Sequence, residues 1–427
     1  MAYSFERTYE LKQHTPLIHF QHTQDGATLR ATEVKPKLDR YLIRAAGIPQ
    51  DSPFRLRGSE GASDALNYKL SFSCGQADKV ELGPKTDYDI YYGNMGPDRE
   101  KYVKGVLARG KVTCRVVCLI PELMELIDRH LAGFFVVTNF GRMQRKGFGS
   151  FTVESGAAIP PARIASLLCK ACGAGACYSF PGGPAPFRKI KALYGVMKSG
   201  YNFGGRYHKA FLFQYMMEKG IRSEKRGLKA NGLAPKIWQP RNDRIVNHPG
   251  DGSAEEEQYR YVRALLGVAD HVEYRGQAGT DRRMNLHEYR IRLADGSVED
   301  RGRSEDSFGL AVRISSDKIE RLKSPVFFKV IGGTVWYVAE KIPEEIYGEE
   351  FTFTSGWDDR AGRTGGPEKS VVFKVPTRRE MGLREEDSPS GDFLEYVFSH
   401  YQRENLSDIR ELQGLAIARH ECPPGGN

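Results

Sequence analysis

The densest run of residues able to do chemistry is FGRMQRKGFGSF, residues 140–151. Gly141, Gly147 and Gly149 tolerate positive φ and let a backbone approach a ligand closely, with its amides turned outward as donors. Arg142, Arg145 and Lys146 bring charge suited to phosphates. Phe148 brings a ring on which a base could stack, a contact worth about 1–3 kcal/mol in single-strand binders. No Gly-Lys-Ser/Thr opens a helix here, which excludes a Walker-type phosphate loop. A basic hairpin whose glycines serve geometry alone would carry the same pattern.

A second surface lies in GYNFGGRYHKAFLFQYMMEKGIRSEKRGLKANG, residues 200–232, where Arg206, His208, Lys209, Arg222, Lys225 and Arg226 alternate with Tyr201, Phe203 and Tyr207. Cations interleaved with aromatics suit single-stranded RNA, whose unstacked bases can lie on rings. AFLFQYMM within it reads as core. The surrounding segment is the most basic of the chain. From Arg188 to Arg244 fourteen Lys or Arg face three acids, a surplus of +11 in a chain whose net charge is +9. Such an excess is the electrostatic footprint of a polyanion partner, or else an ordinary solvated surface.

Catalytic groups are sparse. His14, His19 and His22 lie close together near the N-terminus. On a straight strand His14 and His22 share a face and His19 does not. A histidine there could serve as general acid or base, its unperturbed pKa of about 6.5 being near working pH. Strand-end or RNA-contacting histidines would look the same. Asp25 and Asp39 are isolated, and Trp357-Asp358-Asp359 sits in a loop-like stretch. Gly-x-Ser-x-Gly, His-Glu-x-x-His and a dinucleotide fingerprint are all missing. Seven cysteines in 427 residues do not suggest a disulfide framework. Cys169, Cys172 and Cys177, in CKACGAGAC, could be part of a zinc site but lack an evident fourth ligand, and otherwise read as reduced structural thiols. No metal or cofactor is called for.

The elements that would hold these groups begin with an alternating segment, YSFERTYELKQ, neither apolar enough for a signal peptide nor followed by a spanning helix. A cytoplasmic location is the expectation. Pro36 is read as opening an amphipathic helix, KLDRYLIRAAG, that leaves at Gly47. NYKLSFSC and KVTCRVVCLI read as strands, PELMELIDRHLAG as a helix closed by its glycine, and FFVVTNF as a short buried strand. This order, β-α-β-β-α-β, is the ferredoxin-like arrangement. GAGACYSFPGGPAPF reads as a loop and QYRYVRALLGV as a helix. EYRIRLADGSVED and FFKVIGGTVWYVAEK read as hairpins turning at Asp-Gly and Gly-Gly.

Helix, strand, then a glycine-rich loop ending GFGSF resembles the signature of the RAMP superfamily, the repeat-associated RNA-binding subunits of CRISPR systems. HTPLIHF with GATLRATEVKPKLDRYLIRA resembles that family's opening strand, its threonine-proline and the cationic entry to its first helix. RLKSPVFFKVI resembles the serine-proline strand in the C-terminal part of the large head-end RAMP subunit of type III-B (Cmr) effectors. The tryptophan-rich helix expected after the first strand reads KLDRYLIRA instead, and the Cys-bearing, basic middle has no counterpart.

The resemblance implies an α+β chain with a ferredoxin-like, RRM-related RAMP domain over residues 1–155. Residues 156–245 read from their own composition as a helical basic insertion, and a second, more degenerate β-rich RAMP-like half (246–427) is expected after it. The resemblance adds Arg30 and Lys35, at the helix entry, to the glycine loop as RNA contacts. It implies a binding subunit of a type III-like ribonucleoprotein, without catalysis, partnered by single-stranded guide RNA, by target RNA, and by other effector subunits. The alternatives are a metal-independent endoribonuclease acting through His14 or His22, and a protein-interaction scaffold with a basic face.

Overall fold

The computed structural model describes residues 5–19, 24, 27–58, 61–83, 86–89, 104–203, 206–231, 233, 236–239, 244–245, 259–275, 288–292, 298–302, 309–357, 369–404 and 406–422. Two compact units result. The first comprises Met1–Lys191, Val326–Glu340 and Gly414–Asn427, the second Ala192–Pro325 and Lys341–Gln413. Among the described residues no helix is long and apolar enough to cross a membrane.

The first unit opens with β1 (Glu6–Gln13), α1 (Ala31–Ala46), β2 (Lys69–Cys74), β3 (Lys111–Val117), α2 (Pro121–Val137) and β4 (Phe151–Val153). Their sheet runs β2-β3-β1-β4 and is antiparallel throughout. β1 is central because Leu11, its one fully buried residue, points into the same cluster as Val112, Cys114 and Val116 of β3. Val34, Leu38 and Leu42 of α1, spaced at i and i+4, meet Leu123, Met124, Ile127 and Leu131 of α2 in that core. The opposite strand positions carry exposed charge. Arg115 pairs diagonally with Glu6 and Lys111 with Glu10.

Two expectations fail here for physical reasons. Gly133 does not close α2, and Phe134–Val137 continues the helix rather than forming a strand. A Cβ at Gly133 would lie 2.8 Å from the Tyr41 hydroxyl, so the missing side chain admits α1. The last strand of the sheet is therefore SFTV, after the glycine loop. Nor does Pro36 open α1. The helix starts at Ala31 and exits, as expected, through Gly47 in the left-handed conformation.

A second four-stranded antiparallel sheet completes this unit. β5 (Ala176–Pro181) lies between strands Thr334–Ala339 and Ala418–Glu421, with Val326–Ile331 outermost. Residues 176–181, expected as loop, are thus a central strand, and Cys177, Tyr178, Phe180 are buried. The Gly332-Gly333 turn has φ of 57° and 81°, as a tight primed hairpin turn requires. α3 (Pro161–Cys172) packs Ile164, Leu168 and Cys169 against Cys177, Trp336 and Val338. Cys169 is disulfide-bonded to Cys422, contrary to the expected reduced thiols, while Cys172 and Cys177 are in no disulfide. Among the described residues no three His, Cys, Asp or Glu converge as metal ligands would.

The second unit holds a six-stranded mixed sheet, ordered Arg222–Ser223, Tyr259–Arg260, Lys369–Lys374, Glu350–Trp357, Gly309–Ser315, His271–Arg275. Tyr261, Phe351, Phe353 and Phe373 form its aromatic core. QYRYVRALLGV, expected as an α-helix, is instead a two-residue strand followed by a 3-10 turn over Val262–Leu266. AFLFQYMM is helical core, as expected, with Phe211, Leu212, Phe213, Tyr215 and Met216 buried.

Candidate nucleic-acid interface

The glycine loop joins α2 to β4, and its three glycines all adopt positive φ: 75° at Gly141, 89° at Gly147 and 65° at Gly149. Space, as well as φ, demands them. A Cβ at Gly149 would sit 1.9 Å from the Phe140 carbonyl oxygen, and one at Gly141 would sit 2.6 Å from that of Ile18. The close approach these glycines serve is therefore chain against chain. Gly149 N–H donates to Pro16 O (2.8 Å) and Arg142 N–H to Ile18 O (2.8 Å). The Thr15 hydroxyl donates to Gly147 O (2.8 Å) and accepts from Ser150 N–H (2.9 Å). The threonine-proline after β1 is the loop's inner brace.

The loop's charges are unequal. Arg145 pairs with Glu340 and lies over the Phe327 ring, 5.5 Å from its centroid. Burial pulls the Lys146 ammonium down to a pKa of about 8. Phe148 does not offer a base-stacking platform, because it is fully buried and stacks at 4.1 Å on Phe187. Arg142 is exposed. At the helix entry, Lys35 donates to Asp39 (2.8 Å) and to Leu66 O (2.9 Å), with the Tyr68 ring beneath it. That lysine is committed to the fold rather than to a phosphate. Arg30 stands at the N-cap of α1 in extended conformation and is half-buried.

His14 is held from both sides. Gly332 N–H donates to Nδ1 (3.4 Å), so Nε2 carries the proton and donates to the Thr152 hydroxyl (2.8 Å). Burial, then the charges of Lys329 and Lys12, push its pKa down to about 4. A neutral imidazole with both nitrogens engaged is a poor general acid at neutral pH. His22 lies outside the described residues. The unfolded chain takes up this proton near pH 6.5 and the folded chain only near 4, so His14 costs stability as pH falls through that window. Acidification should remove about 2 kcal/mol after allowance for partial exposure. His14→Gln should flatten the slope of urea stability against pH across the same range.

In the second unit His208 is buried and pairs with Asp408 at 2.9 Å, which removes it from any surface. Lys209 is different. Its pKa is lowered by burial and then by the charge of Arg226, so two cations stand near one another. Lys225 lies 5.9 Å over the Phe213 ring, and Arg222 and Arg226 are exposed. Arg206 is placed on strand Arg206–His208, and its side chain is outside the described residues.

The residue that sequence reasoning missed is Lys329. It is 0% exposed, and its ammonium donates to Phe135 O (2.7 Å), Thr138 O (2.7 Å) and Phe151 O (3.2 Å). It thereby ties the end of α2 and the start of β4 to strand Val326–Ile331. A lysine between Phe327, Phe328, Val330 and Ile331 was the available signal, although alternation along a strand would equally turn such a cation to solvent.

Residues 4–201 match the family model described as the Cmr1 N-terminal domain, and residues 207–414 match the Cmr1 C-terminal domain. The chain belongs to the Cmr1 family. It is therefore a RAMP-superfamily subunit of type III-B CRISPR (Cmr) effectors, in keeping with the resemblance seen in its loop and serine-proline strand, and its partners include other effector subunits. The apo crystal structure of Cmr1 from Pyrococcus furiosus is similar to this Cmr1-family chain at 10% identity, covering 97% of this chain and 98% of the other, with a TM-score of 0.39. No curated protein matches it.

Proposed function

We propose that this Cmr1-family chain holds single-stranded RNA, guide or guide–target, by its backbone within the effector, as a binding subunit and not a nuclease. The observation that carries the reading is the basic surface of the second unit, where Arg222 and Arg226 are exposed and the Lys209 pKa is lowered by burial and then by the charge of Arg226, in the segment with the +11 surplus. Like charges kept together cost the free protein energy that a polyanion relieves. The β-α-β-β-α-β path and the order β2-β3-β1-β4 support a ferredoxin-like RAMP domain in the first unit. Its outer strand positions carry ion pairs where an RRM stacks bases, so contact with phosphates is favoured over reading of bases.

A gel-shift titration with single-stranded RNA in EDTA tests this. Intact RNA should shift, with affinity falling steeply as salt rises. Arg222→Gln/Arg226→Gln should reduce the log–log salt slope by about 1.4, at about 0.7 per phosphate contact on a single strand. Arg145→Gln should leave that slope unchanged, because its charge is already paired. Cut products in EDTA, or a salt-independent shift, would refute the proposal.

A further inference from the structure

The first turns of α4 (Pro186–Lys198) carry Arg188, Lys189 and Lys191, and residues 86–89 lie upon them. Arg188 Nε donates to Thr86 O at 3.1 Å and its Nη2 is 3.9 Å from the Asp87 carboxylate. Lys191 Nζ is 2.7 Å from the Asp89 carboxylate. Between the two acids, the Tyr88 ring meets Phe187 at 5.7 Å, and Phe187 in turn stacks on Phe148 of the glycine loop. The segment is shaped by Thr86, whose hydroxyl donates to Gly83 O (2.8 Å) and accepts from Tyr88 N–H (3.1 Å).

We propose that Asp87-Tyr88-Asp89 is a built-in competitor for RNA, placing anion, ring and anion on the cation, ring and cation of α4. This rests on the RNA-holding role argued above and adds a site and its regulation. Arg188 and Lys191 are three residues apart on one helix, so they share a face. A single RNA strand offers that face two phosphates and a base, the chemistry the segment imitates. The segment is held weakly enough to yield. Its Arg188–Asp87 pair, at 3.9 Å, leaves Asp87 67% and Arg188 39% exposed, and a pair of that kind contributes little net stability, so the shorter and more covered Lys191–Asp89 pair is the main ionic tie. An RNA strand gains in addition the release of its condensed counterions, which a pair of aspartates cannot match. The segment therefore discourages weak, non-specific polyanions and gives way to RNA that is held elsewhere as well.

The test uses the full chain with Asp87→Asn/Asp89→Asn, and Asp89→Asn alone should the double variant melt early. Binding of single-stranded RNA should tighten about tenfold at fixed salt. The salt slope should steepen by about 1.4 as two further phosphates are engaged. Adding Arg188→Gln/Lys191→Gln should abolish both gains. Unchanged affinity and slope in a folded variant, while the wild type binds RNA, would overturn the competitor and leave the RNA role standing. If only the variant bound RNA, the competitor would be supported. If neither bound RNA, both this proposal and the RNA role would fall.

Discussion

Gly149→Ala should leave the first unit unable to reach its native state under conditions where the parent chain is folded. Holding alanine at a φ of 65° costs about 1–2 kcal/mol by itself. The clash costs more, because the new methyl would lie 1.9 Å from Phe140 O, in a residue whose N–H already donates to Gly149 O and so holds the two backbones together. Backbone atoms on both sides leave no flexible side chain to give way. The total should exceed about 4 kcal/mol, among the largest effects of single substitutions. Gly156→Ala supplies the control, since Gly156 has a φ of 75° and nothing within 4 Å of its missing Cβ. It should bear only the conformational cost. Urea melts of the two variants that proved equal would show that the loop's glycines answer to φ alone.

Lys329→Met should cost about 3 kcal/mol and lower the melting temperature by about 6–12 °C. The methionine fills nearly the same volume, so little cavity energy enters. What disappears is the donor set for three buried carbonyls, two of them at the C-terminal end of α2, where no further turn can satisfy them. Burial opposes this by pushing the lysine's pKa well below its ordinary value, a penalty that methionine escapes. Three hydrogen bonds that use all three ammonium protons should outweigh that relief. A melting temperature that held or rose would show that desolvation wins and that the tie is there for geometry instead.

The strands and helices of the first sheet were legible wherever their apolar spacing was local. β1, β2, β3 and the body of α2 stood where alternation, β-branched and aromatic content and helical spacing placed them. Gly133 misled because its role is to admit Tyr41 from another helix, which periodicity cannot show. β5 misled because glycine and proline crowd its flanks, while its strand partners come from residues 334–339 and 418–421. The loop's residue types pointed to RNA and to the family, yet types alone do not show which charges are already neutralised. Glu340 pairs with Arg145 from a place that the loop's own spacing does not reveal, whereas Asp39 stands one helical turn after Lys35, a pairing the i, i+4 spacing does show. Phe148 is the sharpest case. A ring beside glycines and cations reads as a stacking platform, and only Phe187 shows it to be core.

The two sheets of the first unit differ in when they can exist. The first is complete once residue 153 has been made, but β5 waits for a partner whose His420 pairs with Cys177. At about 5–20 residues per second, a ribosome needs about 13–54 s to cover the intervening chain. Through that interval one edge of a buried strand has no neighbour, an exposure of the kind that recruits chaperones or invites pairing with another chain. The closing strand is also the one fastened by Cys422 to Cys169, across 253 residues of sequence. Only when residues 418–421 have been made does the central strand gain its second neighbour.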